Sequence, residues 1–250
     1  VTVPGEAGVA LVTGGARRIG RAVAEHLHGL GFDIAVHYRS SADSAQELEA
    51  ALNGARPNSC RLFRADLGDH AEVTSLGSEI LQAYGSLALL VNNASGFEPT
   101  PIATCTPEQF DDMLAANLRG PYFLVQALLP AMGEGSSIVN IVDVHIERPL
   151  KHFNAYGAAK AGLASLTRSL AVELAPGVRV NGVAPGAILW PEGDEAYDEE
   201  TRVRTVKRTP LQRLGDPTDI ARVVAFLACE APFITGQVIT VDGGRGLVQG

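Results

Sequence analysis

The chain alternates short runs of Val, Ile and Leu with longer amphipathic stretches from one end to the other, and this alternation restricts its fold more than any other feature. A strand buried on both faces reads as a continuous apolar run, and a helical stretch long enough to cross back over a sheet makes successive strands parallel. Candidate strands fall at Val9–Thr13, Asp33–Tyr38, Ser59–Arg64, Leu87–Asn92, Ser137–Val142, Arg179–Val183 and Val238–Val241. Candidate helices lie near Ile19–Leu30, Ser44–Leu52, His70–Tyr84, Pro107–Leu129, Ala155–Leu174 and Pro217–Ala228. With no internal repeat, low-complexity tract or charge block between them, residues 1–250 are expected to form a single α/β domain. Its sheet should be doubly wound, parallel and seven-stranded, with helices on both faces.

One stretch breaks the pattern. Ala187–Pro210 is longer than an ordinary connection and holds Trp190, Pro191 and six acidic residues between Glu192 and Glu200. Long connections in compact domains often serve as active-site lids, so residues 187–210 are expected to close over a substrate; the alternative is a solvated surface excursion. An apolar fraction of 46% excludes a globally disordered chain, and a formal charge of −8 gives no field to hold nucleic acid or an anionic membrane surface. Cys60, Cys105 and Cys229 are far apart with no CxxC pair, which suits neither a disulfide framework nor a zinc site. No apolar run approaches the roughly 18 residues that span a bilayer, and no signal-peptide pattern is present. The expectation is a cytoplasmic protein, with the proviso that the first residue is Val1 rather than an initiator Met.

Residues that carry chemistry gather after the predicted strands. Thr13-Gly14-Gly15-Ala16-Arg17-Arg18-Ile19-Gly20 leads from the first strand straight into a helix. Glycines let a backbone approach a pyrophosphate closely, and the helix N-terminus supplies free N–H groups, so Gly14, Arg18, Ile19 and Gly20 are candidate dinucleotide contacts. Such a turn also serves plain strand-to-helix packing. After the second strand, where NAD-binding chains of this architecture carry an acid for the ribose hydroxyls, this chain reads His37-Tyr38-Arg39-Ser40. A guanidinium and a hydroxyl grip a 2′-phosphate, so NADPH is the expected cofactor unless Arg39 is only a solvated loop charge. Asp66-Leu67 after the third strand offers a carboxylate to an adenine amino group, and Asn92-Asn93-Ala94-Ser95 borders the place where a cofactor would cross the sheet. Asn93-Ala94-Ser95 is also a glycosylation sequon, set aside because nothing in the sequence suggests secretion.

Tyr156-Gly157-Ala158-Ala159-Lys160 places a phenol and an ammonium on one helical face. A nearby Lys⁺ stabilises a phenolate and is expected to bring the tyrosine below its usual ~10. Such a tyrosine can protonate a substrate that is receiving hydride, although an exposed helical pair satisfies the same spacing.

Together with Asn92–Ala94, Asn117 and Pro185-Gly186, these segments resemble the short-chain dehydrogenases/reductases, and the resemblance runs from about Val9 to Gly244. It implies a Rossmann sheet, Tyr156 as the acid, Asn117 holding a water by the lysine, and Lys160 on the nicotinamide ribose. It further implies Asn93 and Ala94 beside the cofactor, Pro185 and Gly186 along the nicotinamide, and a homotetramer built on the long helices.

Two positions depart from the family pattern. Most members carry Ser where this chain has Asp143, and Gly or Ala where it has Arg18. A carboxylate cannot donate to a developing oxyanion unless it is protonated, but it accepts well from N–H donors and can hold the Tyr156 proton for delivery to nitrogen. Arg18 with Asp143, residues Asn93–Pro101 and Asp242-Gly243-Gly244 resembles the pteridine reductase subgroup. The stretch from Asp143 through Glu147-Arg148 to Ala187-Ile188-Leu189 is similar to bacterial dihydromonapterin reductases. By that resemblance Phe97 stacks on a pterin, Ser95 and Arg18 contact the pterin and the cofactor phosphates, and Asp143, Tyr156 and Leu189 complete the substrate set. A loop-anchoring role is the alternative for Phe97. His145 and His152 flank the catalytic segment without a third ligand at metal spacing, so they are expected at the pocket rim or in structural roles and no metal is expected.

The expected function is NADPH-dependent reduction of a small-molecule pterin or folate substrate, a dihydropterin such as dihydromonapterin, dihydrobiopterin or dihydrofolate, at a ring C=N bond. The competing readings are an NADPH-dependent carbonyl reductase of the 3-oxoacyl thioester kind, in which Asp143 merely replaces Ser, and a non-catalytic NADPH-binding module. Intact Tyr156, Lys160 and Asn117 argue against the module.

Overall fold

The computed structural model describes residues 8–190 and 198–248. Its strands are β1 (Val9–Val12), β2 (Asp33–Tyr38), β3 (Cys60–Arg64), β4 (Leu89–Asn92), β5 (Ser136–Ile141), β6 (Val178–Pro185) and β7 (Val238–Val241). All pair in parallel, in the order β3-β2-β1-β4-β5-β6-β7. Side chains alternate across a strand, so Ala10, Val12, Ile34, Val36, Leu89, Val91, Val139 and Ile141 fill one core, while Leu11, Ala35, Leu90, Ile138 and Val180 fill the other. Most positions of the central strands face one core or the other, which is why their interiors read as apolar runs, with Asn140 and Asn181 as buried polar exceptions.

Helices α1 (Arg18–Gly29), α2 (Ala42–Ala55) and α8 (Pro217–Ala225) cover the first face, through Val23, Leu27, Leu48 and Ile220. Helices α3 (His70–Tyr84), α5 (Gly120–Leu128) and α6 (Asn154–Glu173) cover the second, through Leu76, Ile80, Leu124, Leu128 and Leu170. The starts are chemically marked: Asp69 caps α3, Thr106 and Gln109 form a capping box on α4 (Pro107–Leu114), and Asp216 and Asp219 do the same on α8. The chain winds outward from β1 toward β3 and from β4 toward β7, so the loops after β1 and β4 part and leave a crevice at their C-terminal ends.

Two expectations on the helices need correction. The single helix expected over Pro107–Leu129 is two helices joined by a π turn at Ala115–Arg119, in which the Gly120 N–H reaches the Ala115 carbonyl five residues back. Pro121 has no N–H to return to the Asn117 carbonyl, so a regular ladder cannot run through this segment. The long 187–210 stretch, read as irregular, contains α7 (Glu199–Lys207), capped by the Asp198 side chain, with Glu199 and Glu200 at its positive end and Arg204 and Lys207 at its negative end. Residues 191–197 of the expected lid lie outside the described residues.

Candidate active site

The crevice holds a cleft of about 200 Å³, bordered by the glycine turn, the ends of β2 and β3, and the loop after β4. Gly14 has φ +60, and a Cβ on Gly20 would collide with the Gly14 carbonyl and approach the Asn93 amide to 2.6 Å. The turn is thereby pressed against the β4 loop. Asn93 secures it from that side, its Nδ2 donating to the Thr13 carbonyl at 2.9 Å and to that of Gly14 at 3.2 Å, while Thr13 Oγ1 accepts from the Asn93 and Ala94 N–H groups. Ile19 packs against the core under α1.

His37 secures the turn from the other side. Its ring is 2% exposed, Nδ1 accepts from the Gly14 N–H at 3.2 Å, and Nε2 lies 3.0 Å from the Ala65 carbonyl. That pairing fixes the neutral tautomer with the proton on Nε2, and burial lowers the ring to about 4. Tyr38, Arg39, Ser40, Asp66, Leu67 and Ala94 line the cleft, and so do Arg17 and Ser41, which the motif reading did not single out. Arg39 lies 3.7 Å from Asp66. Two guanidinium groups and several hydroxyls, together with the glycine backbone of the turn, fit a nicotinamide dinucleotide.

Arg18 turns away from Arg17. Its Nη1 and Nη2 donate to the Trp190 and Leu189 carbonyls at 3.1 and 3.4 Å, tying the start of α1 to the chain after β6. Its φ is +53, a left-handed conformation in which a Cβ crowds the backbone. At the end of β6, Pro185 leads to Gly186, where a Cβ would come within 2.5 Å of Asp242 Cβ, so the close approach of the β7 loop requires glycine.

The chemical centre forms where β5 ends against α6. Tyr156 Oη donates to Asp143 Oδ2 at 2.6 Å. Asp143 Oδ1 accepts from the His145 N–H at 2.8 Å and lies 2.6 Å from His145 Nδ1. Burial alone would raise the Asp143 carboxyl, but the His145 ring, the Tyr156 hydroxyl and the His145 peptide together hold it below the usual carboxylate range. Tyr156 moves far upward, first through burial and then through the Asp143 charge and hydrogen bond, with the Ser95 hydroxyl opposing. This reverses the expectation that Lys160 would lower the phenol: Lys160 Nζ is engaged with the Ile141 carbonyl at 2.9 Å and is itself lowered to about 8 by burial, against the pull of Asp143.

Asn117 sits inside the π turn, its Nδ2 donating to the Gly96 and Met113 carbonyls at 3.0 Å each and its Oδ1 accepting from Ser95 Oγ at 2.7 Å. Phe97 stacks on Phe153 at 4.3 Å and meets Tyr156 edge-on at 4.9 Å, making an aromatic wall beside the phenol. Phe153 and the double contact of His145 on Asp143 were not legible in sequence spacing. Among the described residues no three His, Cys, Asp or Glu side chains come together to hold a metal, and no helix is long and apolar enough to cross a membrane.

With a parallel seven-stranded sheet, a glycine turn at its crevice and a Tyr-x-x-x-Lys helix beside it, the site is that of a nicotinamide-dependent oxidoreductase. Residues 14–245 match the family model described as enoyl-(acyl carrier protein) reductase. The chain is 36% identical to pteridine reductase 1 of Leishmania tarentolae over the full length of both proteins. It is 38% identical to an uncharacterised oxidoreductase of Mycobacterium tuberculosis, covering 94% of this chain and 91% of that one. It is also 36% identical to a 3-oxoacyl-[acyl-carrier-protein] reductase of Staphylococcus aureus, covering 94% and 96%. The chain belongs to the short-chain dehydrogenase/reductase family.

Proposed function

We propose that this protein is an NADPH-dependent pteridine reductase that converts a dihydropterin, with dihydrofolate as a further substrate, to the tetrahydro form. The observation that carries this reading is the 2.6 Å hydrogen bond from Tyr156 to Asp143, in place of a hydroxyl donor. An ionised Asp143 has no proton to offer a carbonyl oxygen, whereas it accepts from the amino and ring N–H groups that a pterin presents. The full-length similarity to a pteridine reductase supports the same substrate class.

The cofactor would lie along Gly14, Ala94 and Asp66, with its 2′-phosphate between Arg17 and Arg39, and Pro185, Gly186 and Lys160 at its nicotinamide end. When bound it supplies the hydride. Tyr156, held protonated by Asp143, delivers the proton to the ring nitrogen of the reduced C=N bond. Phe97 offers an aromatic face to the pterin, while Ser95 and Leu189 border the substrate. Arg18 holds the start of the 187–210 stretch, which serves as the substrate lid and continues through α7. Asn117 keeps Ser95 and the Gly96 carbonyl in place at the mouth of the site.

The three cysteines are free thiols, in keeping with a reducing, cytoplasmic setting. A single-domain protomer would assemble into a homotetramer through the long helices, on which Phe110, Tyr122 and Val172 are exposed.

The test is the initial rate of NADPH and NADH oxidation with dihydromonapterin, dihydrobiopterin, dihydrofolate and an acetoacetyl thioester offered separately. Dihydropterin turnover with NADPH and little with the thioester is the expected result. Thioester turnover with silent pterins would establish a carbonyl reductase, the reading favoured by similarity to the 3-oxoacyl reductase.

A further inference from the structure

His145 follows Asp143 by two residues and folds back on it through one turn of 3-10 helix. Its peptide N–H already orients Oδ1 at 2.8 Å, yet the ring is brought to 2.6 Å from the same oxygen. The opposite oxygen, Oδ2, accepts from Tyr156. Three side chains therefore form one continuous chain, running from an imidazole that is 34% exposed, through a carboxylate that is 19% exposed, to a phenol that is 5% exposed. With a carboxylate as its acceptor, Nδ1 carries the ring proton, and Nε2 is left to exchange with water. Lys160, by contrast, is 2% exposed and donates to the Ile141 carbonyl.

We infer that His145 is the port through which Tyr156 is recharged with a proton from solvent after each turnover. The inference rests on the reductase reading above and deepens it. Each reduction takes one proton from the phenol and leaves a phenolate facing the Asp143 carboxylate. Water protonates His145 Nε2, and the Nδ1 proton passes to Asp143 Oδ1. A half-turn of the carboxyl about Cβ–Cγ presents that proton to the phenolate, which takes it and leaves Asp143 ionised as before. The ring regains its Nδ1 tautomer by exchange with water. One solvent proton enters for each one delivered, and no electrons move along this path. The polar groups that face it are the Ser95 hydroxyl, beside Tyr156, and the Lys160 ammonium, whose charge is felt at Asp143.

His145→Gln can still donate to Oδ1 but cannot take up a proton, whereas His145→Ala removes both functions. With dihydrobiopterin and saturating NADPH, both variants should lose about ten-fold or more in kcat with KM nearly unchanged, and both should show an enlarged solvent isotope effect. Imidazole added to the Ala variant should restore its rate in proportion to concentration. A Gln variant at the wild-type rate, or a slowed Ala variant indifferent to imidazole, makes His145 an orienting residue only and overturns the port. A second readout needs no turnover: in the resting protein the Nδ1 proton should give a downfield NMR resonance that Tyr156→Phe shifts and Asp143→Asn abolishes. A resonance insensitive to both changes overturns the chain of contacts. Should the wild-type protein fail on dihydropterins, the reductase reading falls. The same variants are then compared on the acetoacetyl thioester, whose reduction also draws one proton from Tyr156.

Discussion

Tyr156 and Asp143, thirteen residues apart in sequence, share a 2.6 Å hydrogen bond in which the phenol donates and the carboxylate accepts. Burial and then the anion beside it strengthen the hold of Tyr156 on its proton. Under the proposed function, an acid so held suits an acceptor that is itself basic, and a ring nitrogen is more basic than a carbonyl oxygen.

Asp143→Ser should separate the two chemistries. On dihydrobiopterin kcat is expected to fall by about 10²–10⁴, the range for loss of a positioned acid–base group, while turnover of the acetoacetyl thioester holds or rises. Steady-state rates on both substrates check this, and equal retention on both would detach Asp143 from substrate choice.

Arg17 and Arg39 face the same end of the cleft. Removing either one by alanine substitution should raise KM for NADPH about ten-fold or more, the weight of a charge-assisted hydrogen bond, and leave KM for NADH within about two-fold. Equal effects on the two nucleotides would mean that neither guanidinium meets the 2′-phosphate.

Arg18 combines a φ of +53 with side-chain bonds to the Leu189 and Trp190 carbonyls. Both Arg18→Gly and Arg18→Ala lose those bonds, but only glycine relaxes the backbone, so the glycine variant should be the more stable of the two by about 1 kcal/mol in urea unfolding. Both should raise KM for dihydropterin, because the Leu189 and Trp190 carbonyls lose their tie to the start of α1.

His37 is neutral in the fold, lowered to about 4 by burial from an ordinary 6.5. Unfolding lets the ring take up a proton once the pH is below 6.5, so stability is full above that value and declines as pH falls toward 4, by roughly 3 kcal/mol in all. Urea midpoints at several pH values should show this slope in the wild-type protein and lose most of it in His37→Gln, which can keep both hydrogen bonds without titrating.

The sheet was legible because burial on both faces writes the central strands around apolar runs, and the crevice followed from the glycine turn after β1. Helix α7 was not legible: among Glu199–Lys207 the apolar side chains are Val203 and Val206, too few for a stripe, and the helix depends on the Asp198 cap and on charges placed at its ends. Tyr156, Lys160 and Asp143 could be picked out by residue type and spacing. The direction in which the tyrosine moves could not, because it depends on burial and on the neighbour that reaches the phenol, which is Asp143, while Lys160 one turn along the helix donates to the Ile141 carbonyl. His145 was readable only as a histidine near the site, since nothing in its spacing shows the ring folding back onto Oδ1.

The π turn at Ala115–Arg119 acts as a dislocation in an otherwise regular screw. Each α-helical residue rotates the chain by about 100°, so one residue slipped into the rod re-aims everything that follows it. Helix α4 thereby meets α6, while α5 beyond the slip meets α3, and Asn117 at the slip itself reaches the Gly96 carbonyl. Deleting one residue from this turn would bring the two halves back into phase, and either Leu124 and Leu128 would swing out of the core or Asn117 would swing away from the site. Within these five residues the count sets the phase of both flanking helices, and Asn117 adds to it the side chain that reaches the site.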